Sequence, residues 1–86
     1  EWGLVNQVVP QARLMETAMA LAEEIVACAP LTVAAAREMV YMCQEMGVSA
    51  AAQAGVHLFD HVYRSEDALE GPRAFSEKRK PNWKGK

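Results

Sequence analysis

The period of apolar and polar positions along the chain changes after Pro10. Gly3 to Val9 reads Gly-Leu-Val-Asn-Gln-Val-Val, two β-branched pairs about a polar Asn6-Gln7, closed by Pro10. That pattern predicts a short extended segment or a small kinked strand. A lone strand cannot satisfy its own ladder, so its partners would lie outside this chain. From Gln11 the period becomes helical. Leu14, Ala18, Leu21, Ala22, Ile25, Val26 and Ala29 form one stripe, with Glu16, Glu23 and Glu24 off it. Pro30 ends that helix and suits the first position of the next, where a missing N–H costs nothing.

The second helix is expected from about Leu31 to Met46, with Ala36, Met39, Val40, Cys43 and Met46 as its stripe and Gly47 as a left-handed C-cap. Met39, Met42 and Met46 read as core or interface filler, or as a soft binding groove. Ser49 is placed to cap a third helix running to about Tyr63. Its buried face is read as Val48, Ala51, Ala52, Gly55, Val56, Phe59, Val62 and Tyr63. Gln53, His57, Asp60, His61 and Arg64 fall on the opposite face. His57 and His61 stand four apart, the helical spacing of zinc proteases. The polar stripe explains both as surface residues and no third ligand is evident, so no metal site is assigned. Ser65 caps a fourth helix whose first turn is acidic, through Glu66 and Asp67, as the helix dipole favours. Gly71-Pro72 predicts a kink there or a second short helix, continuing through Phe75 to about Arg79, with Pro81 as the end.

Charge changes this picture at one place. From Arg73 onward the chain holds six cations and one acid, a sum of +5 over 14 residues; the 72 residues before hold three cations and ten acids, a sum of −7. Phe75 and Trp83 sit among the cations. A positive patch with flat apolar faces suits a ligand that carries both phosphates and a base. The plainer alternative is a solvated, frayed basic end. Nucleic-acid binding is disfavoured, because the rest is acidic and the motifs of known readers are absent. No apolar run approaches the roughly 20 residues of a membrane span. Cys28 and Cys43 make no disulfide framework and have no metal-type spacing, so reduced thiols in a cytoplasmic setting are expected. The opening Glu1-Trp2-Gly3 reads as a piece of something longer, so the missing leader says little about targeting.

Short motifs in one order then acquire a common meaning. Ser65-Glu66-Asp67-Ala68 with Glu70-Gly71, Ala74-Phe75, Glu77-Lys78-Arg79, Pro81 and Trp83-Lys84-Gly85 resembles the C-terminus of the crotonase (enoyl-CoA hydratase/isomerase) superfamily. Trp2-Gly3-Leu4-Val5-Asn6 with Val8-Val9-Pro10, and Ala29-Pro30-Leu31, are similar to the preceding segments in the same order. Glu70-Gly71-Pro72 and the final Trp83-Lys84-Gly85 are most similar to carnitinyl-CoA dehydratase-type members.

The resemblance implies a mainly α fold. Residues 1–10 would be an extended segment leaving an absent crotonase core, and residues 11–86 the C-terminal helical domain of three to four helices. It implies an acyl-CoA hydratase, dehydratase or isomerase whose oxyanion hole and acid/base glutamates lie upstream. Glu1, Glu16, Glu23 and Glu24 are therefore not assigned as catalytic acids, no residue here is assigned as catalytic, and the chain alone is expected to be inactive. No separate cofactor is implied, since coenzyme A is part of the substrate. The implied partners are acyl-CoA, the crotonase core and further copies in a trimer or dimer of trimers, with neither nucleic acid nor membrane. Phe75 and Lys78 match family positions near the adenine end of CoA. Interhelical packing is the plainer reading of Phe75, a solvated helix-end cation that of Lys78, and Arg79 and Lys80 would supply general potential. A stand-alone helical oligomerisation module is the alternative function.

Overall fold

A computed structural model describes residues 2–86. Glu1 lies outside the described residues. A 3-10 turn, Gln11–Arg13, leads into four helices: α1 (Leu14–Val26), α2 (Pro30–Glu45), α3 (Val48–Tyr63) and α4 (Glu66–Ser76). There is no strand among the described residues. The segment expected as extended has no ladder partner and stands open, with Trp2 and Leu4 exposed. Its residues Asn6, Gln7 and Val9 lie along α1, lining an open groove with Leu14, Thr17, Ala18 and Leu21.

A proline and a serine fix two of the helix starts. Pro30 occupies the first position of α2, and Ala29 before it is extended at φ −60°, ψ 122°. A residue preceding proline is pushed out of the helical region, so the chain must turn here. It turns by 105° between Gln11–Val26 and Pro30–Glu45. No single helix is long and apolar enough to cross a membrane. Ser65 closes one helix and opens the next. Its Oγ donates to the Val62 carbonyl at 2.6 Å and accepts from the Ala68 N–H at 3.1 Å.

The α2–α3 junction departs from expectation. Gly47 is at φ −61°, ψ 150° and Met46 at φ −134°, ψ 159°, so the reversal runs through two extended residues and not through a left-handed glycine. Gly47 is then the N-cap of α3, and Ser49 lies inside the first turn, capping nothing. Pro72 does not split the last helix. It sits inside α4, which is unbroken to Ser76. One hydrogen bond is forfeited there, and Gly71 has no Cβ to crowd the proline ring.

The core is small and lies mainly between α2 and α3. Ala35 of α2 and Ala51 and Gly55 of α3 are buried at this seam, and Ala74 of α4 is buried separately. Met39 lies over Gly55 so closely that a Cβ there would come within 2.9 Å of Met39 Cε. The covered face of α2 is thus Leu31, Ala35, Met39 and Met42, whereas Ala36, Val40 and Cys43 of the expected stripe face outward. On α3, Val48, Val56 and Tyr63 are likewise exposed, with Ala54 and Leu58 half-covered in their place. On α1 only Thr17 is even half-covered.

The result is an open slab of 43 × 39 × 18 Å with a radius of gyration of 16.3 Å. A compact domain of this length has a radius of about 12 Å. The accessible surface is 7502 Å². A compact chain of this mass exposes about 5000 Å². The faces of α1, α2 and α3 that the sequence marks as apolar exist as helical stripes, but within the chain they are only partly covered.

Candidate functional site

The basic end of the chain is folded back onto α4. Asp67, at the second position of α4, is buried and accepts from the backbone N–H of Lys84 through Oδ1 and of Gly85 through Oδ2, both at 2.8 Å. The Lys86 carbonyl accepts from the Glu66 N–H at 2.8 Å and the Asp67 N–H at 3.4 Å, so the tail supplies the N-terminus of α4 with acceptors that the helix itself lacks. Trp83 donates its indole N–H to the Ala27 carbonyl at 2.8 Å, tying the tail to the end of α1. Its ring lies against Gly71, where a Cβ would come within 3.3 Å of it. The frayed end is therefore excluded. The signal in the sequence is the acidic start of α4, Glu66 and Asp67, which the helix dipole alone would also explain.

Three of the six cations are spent inside this fold. Lys84 Nζ pairs with Glu66 at 2.9 Å. Arg73 pairs with Glu77 at 3.0 Å. Arg79 grips Glu70 with both terminal nitrogens, at 2.5 and 3.0 Å, and donates its Nε to Glu77 at 2.6 Å. Arg79 is thus a structural clamp and not a source of general potential. The Asn82 N–H adds a bond to Glu70 at 2.7 Å. Arg79, and then the Asn82 N–H, hold the Glu70 carboxyl down from 4.5 to about 2. Arg79 and Arg73 lower Glu77, and Lys84 lowers Glu66, in the same direction. Glu70 and Glu77 raise Arg79, and Glu66 raises Lys84.

Lys78 is different. Among the described residues it enters no ion pair, and it is exposed. Its φ is +53°, the only positive φ of a non-glycine residue described. It terminates α4 by a Schellman turn: the Arg79 N–H reaches the Ala74 carbonyl at 3.0 Å and the Lys78 N–H reaches that of Phe75 at 3.2 Å. Glycine is usual at this position, and the left-handed form costs an L-residue about 1–2 kcal/mol. Here α4 ends at Ser76, short of the expected Arg79, because this turn intervenes. Phe75 is 86% exposed, so it is not packed between helices of this chain. The structure brings Phe75 and Lys78 to the same C-terminal end of α4, with Lys80 beside them as a further unpaired cation.

His57 and His61 lie on the exposed face of α3, and among the described residues no group of three His, Cys, Asp or Glu side chains is close enough to hold a metal ion. Cys28 and Cys43 are free and exposed.

The family profile described as enoyl-CoA hydratase/isomerase matches residues 1–86. The carnitinyl-CoA dehydratase of Salmonella typhi is 48% identical over 89 residues, covering 99% of this chain and 34% of the relative. That of Escherichia coli strain K12 is similar to the same extent. Among solved structures, an enoyl-CoA hydratase from Bacillus anthracis superposes with a TM-score of 0.93 at 36% identity, covering 98% of this chain and 33% of that one. An enoyl-CoA hydratase/isomerase from Mycobacterium paratuberculosis superposes with a TM-score of 0.91 at 37% identity. The chain spans about a third of the length of the relatives it matches. The sequence match runs from end to end, and the helices with their folded-back tail superpose on the corresponding third of solved hydratases; the chain belongs to the enoyl-CoA hydratase/isomerase family, the crotonase superfamily.

Proposed function

We propose that this chain serves as the C-terminal helical part of an acyl-CoA hydratase, dehydratase or isomerase, where it supplies subunit interface and contacts to CoA. Its reacting groups come from the crotonase core that it would pack against, and no residue of residues 2–86 acts on the thioester. The enzyme is cytoplasmic and works as a trimer or dimer of trimers. One observation carries the ligand role: every arginine near the end of α4 is neutralised by a glutamate, while Lys78, in its fixed left-handed turn, is held unpaired at the same helix end as an exposed aromatic. That pair offers a cation to a phosphate and a flat face to adenine. The interface role rests on surface. The excess over a compact chain, about 2500 Å², is on the scale of a permanent interface.

The test is kinetic, on the full-length enzyme. Lys78→Ala removes one charge-assisted contact at an exposed site, a loss of about 1 kcal/mol, or a several-fold rise in KM for crotonyl-CoA. The turnover number changes little, because a contact far from the thioester contributes uniform binding. Crotonyl-pantetheine, which lacks the nucleotide, shows no such rise. Equal harm to both substrates would refute the phosphate role. A second reading, a stand-alone module that only oligomerises, is favoured by the uncovered faces of α1 to α3. It gives Lys78 no ligand, so Lys78→Ala would then be silent.

A further inference from the structure

Lys78 sits between two residues that are tied to each other. Glu77 before it accepts from Arg79 after it, at 2.6 Å. The same guanidinium reaches back to Glu70, a bidentate pair across nine positions. Arg73 holds the other oxygen of Glu77 at 3.0 Å. The backbone of the turn is thereby pinned on both sides of a lysine that has to hold an unfavourable left-handed conformation. The chain of pairs also consumes the two carboxylates closest in sequence to the Lys78 ammonium. Without Arg79, Glu77 would be left with a free oxygen one residue away from Lys78.

We propose that Arg79, clamped by Glu70 and Glu77, is a positioning residue for Lys78: it fixes the left-handed turn and keeps the neighbouring carboxylates from neutralising the ammonium, so that Lys78 is presented to an anionic ligand. This rests on the reading of Lys78 as a phosphate contact. The arginine fork matters here, because its planar geometry grips both oxygens of Glu70 while Nε reaches Glu77, a bidentate arrangement that the single ammonium of a lysine does not reproduce. Glu70 belongs to the same device, as it also fixes the tail at the Asn82 N–H.

A thermodynamic cycle on the full-length enzyme tests it, with CoA as the probe and its Kd read by calorimetry. Lys78→Ala, Arg79→Gln and the double variant are compared. Each single change is expected to weaken CoA several-fold, a shift on the scale of one exposed ion pair. In the double variant Arg79→Gln adds nothing beyond Lys78→Ala, since it acts through that side chain. Arg79→Lys recovers only part of the loss. If Lys78→Ala leaves the Kd unchanged, the phosphate reading itself is wrong. If Lys78→Ala weakens CoA but Arg79→Gln is silent, or weakens CoA equally with and without Lys78, the positioning role is wrong and Arg79 only holds the fold. Should Arg79→Gln not fold, Glu70→Gln takes its place in the same cycle, keeping a hydrogen-bond acceptor while removing the charge, with the same criteria.

Discussion

Asp67→Ala isolates what holds the tail. The carboxylate is 4% exposed and accepts two backbone N–H bonds at 2.8 Å, from Lys84 and Gly85. A hydrogen bond to a charged acceptor contributes about 1.5–3 kcal/mol, and leaving a buried donor unpaired adds to the loss. Lys84 and Gly85 are exposed, so their freed N–H groups find water and the low end applies to each. The tail should then lose about 3 kcal/mol of its attachment. At 1.4 kcal/mol per factor of ten, that raises the opening equilibrium about a hundredfold. Hydrogen exchange of the C-terminal peptide, read by mass spectrometry on the full-length protein, should speed up on that scale. Trp83 fluorescence should shift to the red as its bond to the Ala27 carbonyl is lost, read in a Trp2→Phe background because Trp2 is already exposed. Asp67→Asn keeps one acceptor but turns a donor toward the second N–H, so it forfeits at least half of the effect. Exchange that rises less than threefold in Asp67→Ala would refute the reasoning. The tail would then be held by Trp83 and by the Lys86 carbonyl at the start of α4.

Two further outcomes follow from the turn and from the ion pairs. Lys78→Gly should be more stable than Lys78→Ala by about 1 kcal/mol, because glycine takes φ +53° without strain, while weakening CoA to the same extent; a thermal melt and a Kd on both variants check this, and equal stability would count against the left-handed turn. Glu70 is depressed from 4.5 to about 2, so its contribution to tail attachment is fully present above pH 4.5 and is lost as pH falls from there to about 2. Acid titration of Trp83 fluorescence should therefore show release inside that window, smaller in Glu70→Gln, and release centred above pH 4.5 would show that some other group controls the tail.

The helices were legible because their punctuation is chemical. Pro30 and Ser65 start helices where the sequence places them, and four helices with no strand among the described residues is the mainly α fold the crotonase likeness implies. The faces were less legible, for a reason visible in Ala34-Ala35-Ala36 and in Ala50-Ala51-Ala52. Alanines give no hydropathic contrast, so the pattern cannot choose which of three neighbours enters a tight seam. That choice was made by fit, with Ala35, Ala51 and Gly55 admitting Met39 between the helices. Gly47 misled in the same way. A glycine permits a left-handed turn but does not require one, and two extended residues reverse the chain there instead.

The site was legible as charge and hidden as topology. Glu66, Glu70, Arg73 and Glu77 recur at spacings of four, three and four, which puts them in one line along α4. Three acids and one cation in a row repel one another unless further cations cover them, and the only dense supply lies in the last eight residues. Lys84 and Arg79 do cover them, from positions 18 and nine residues away. Pattern reading by helical period cannot see such pairs, because the tail must first reverse, through residues that make no helix. Two of the tail's cations thus pair with acids of the preceding part, Arg79 with Glu70 and Lys84 with Glu66. What remains for a ligand is not the sum of the tail's charge but its unpaired remainder, Lys78, Lys80 and Lys86. Of these only Lys78 has its backbone fixed by paired neighbours on both sides, which is why the ligand test belongs on that residue.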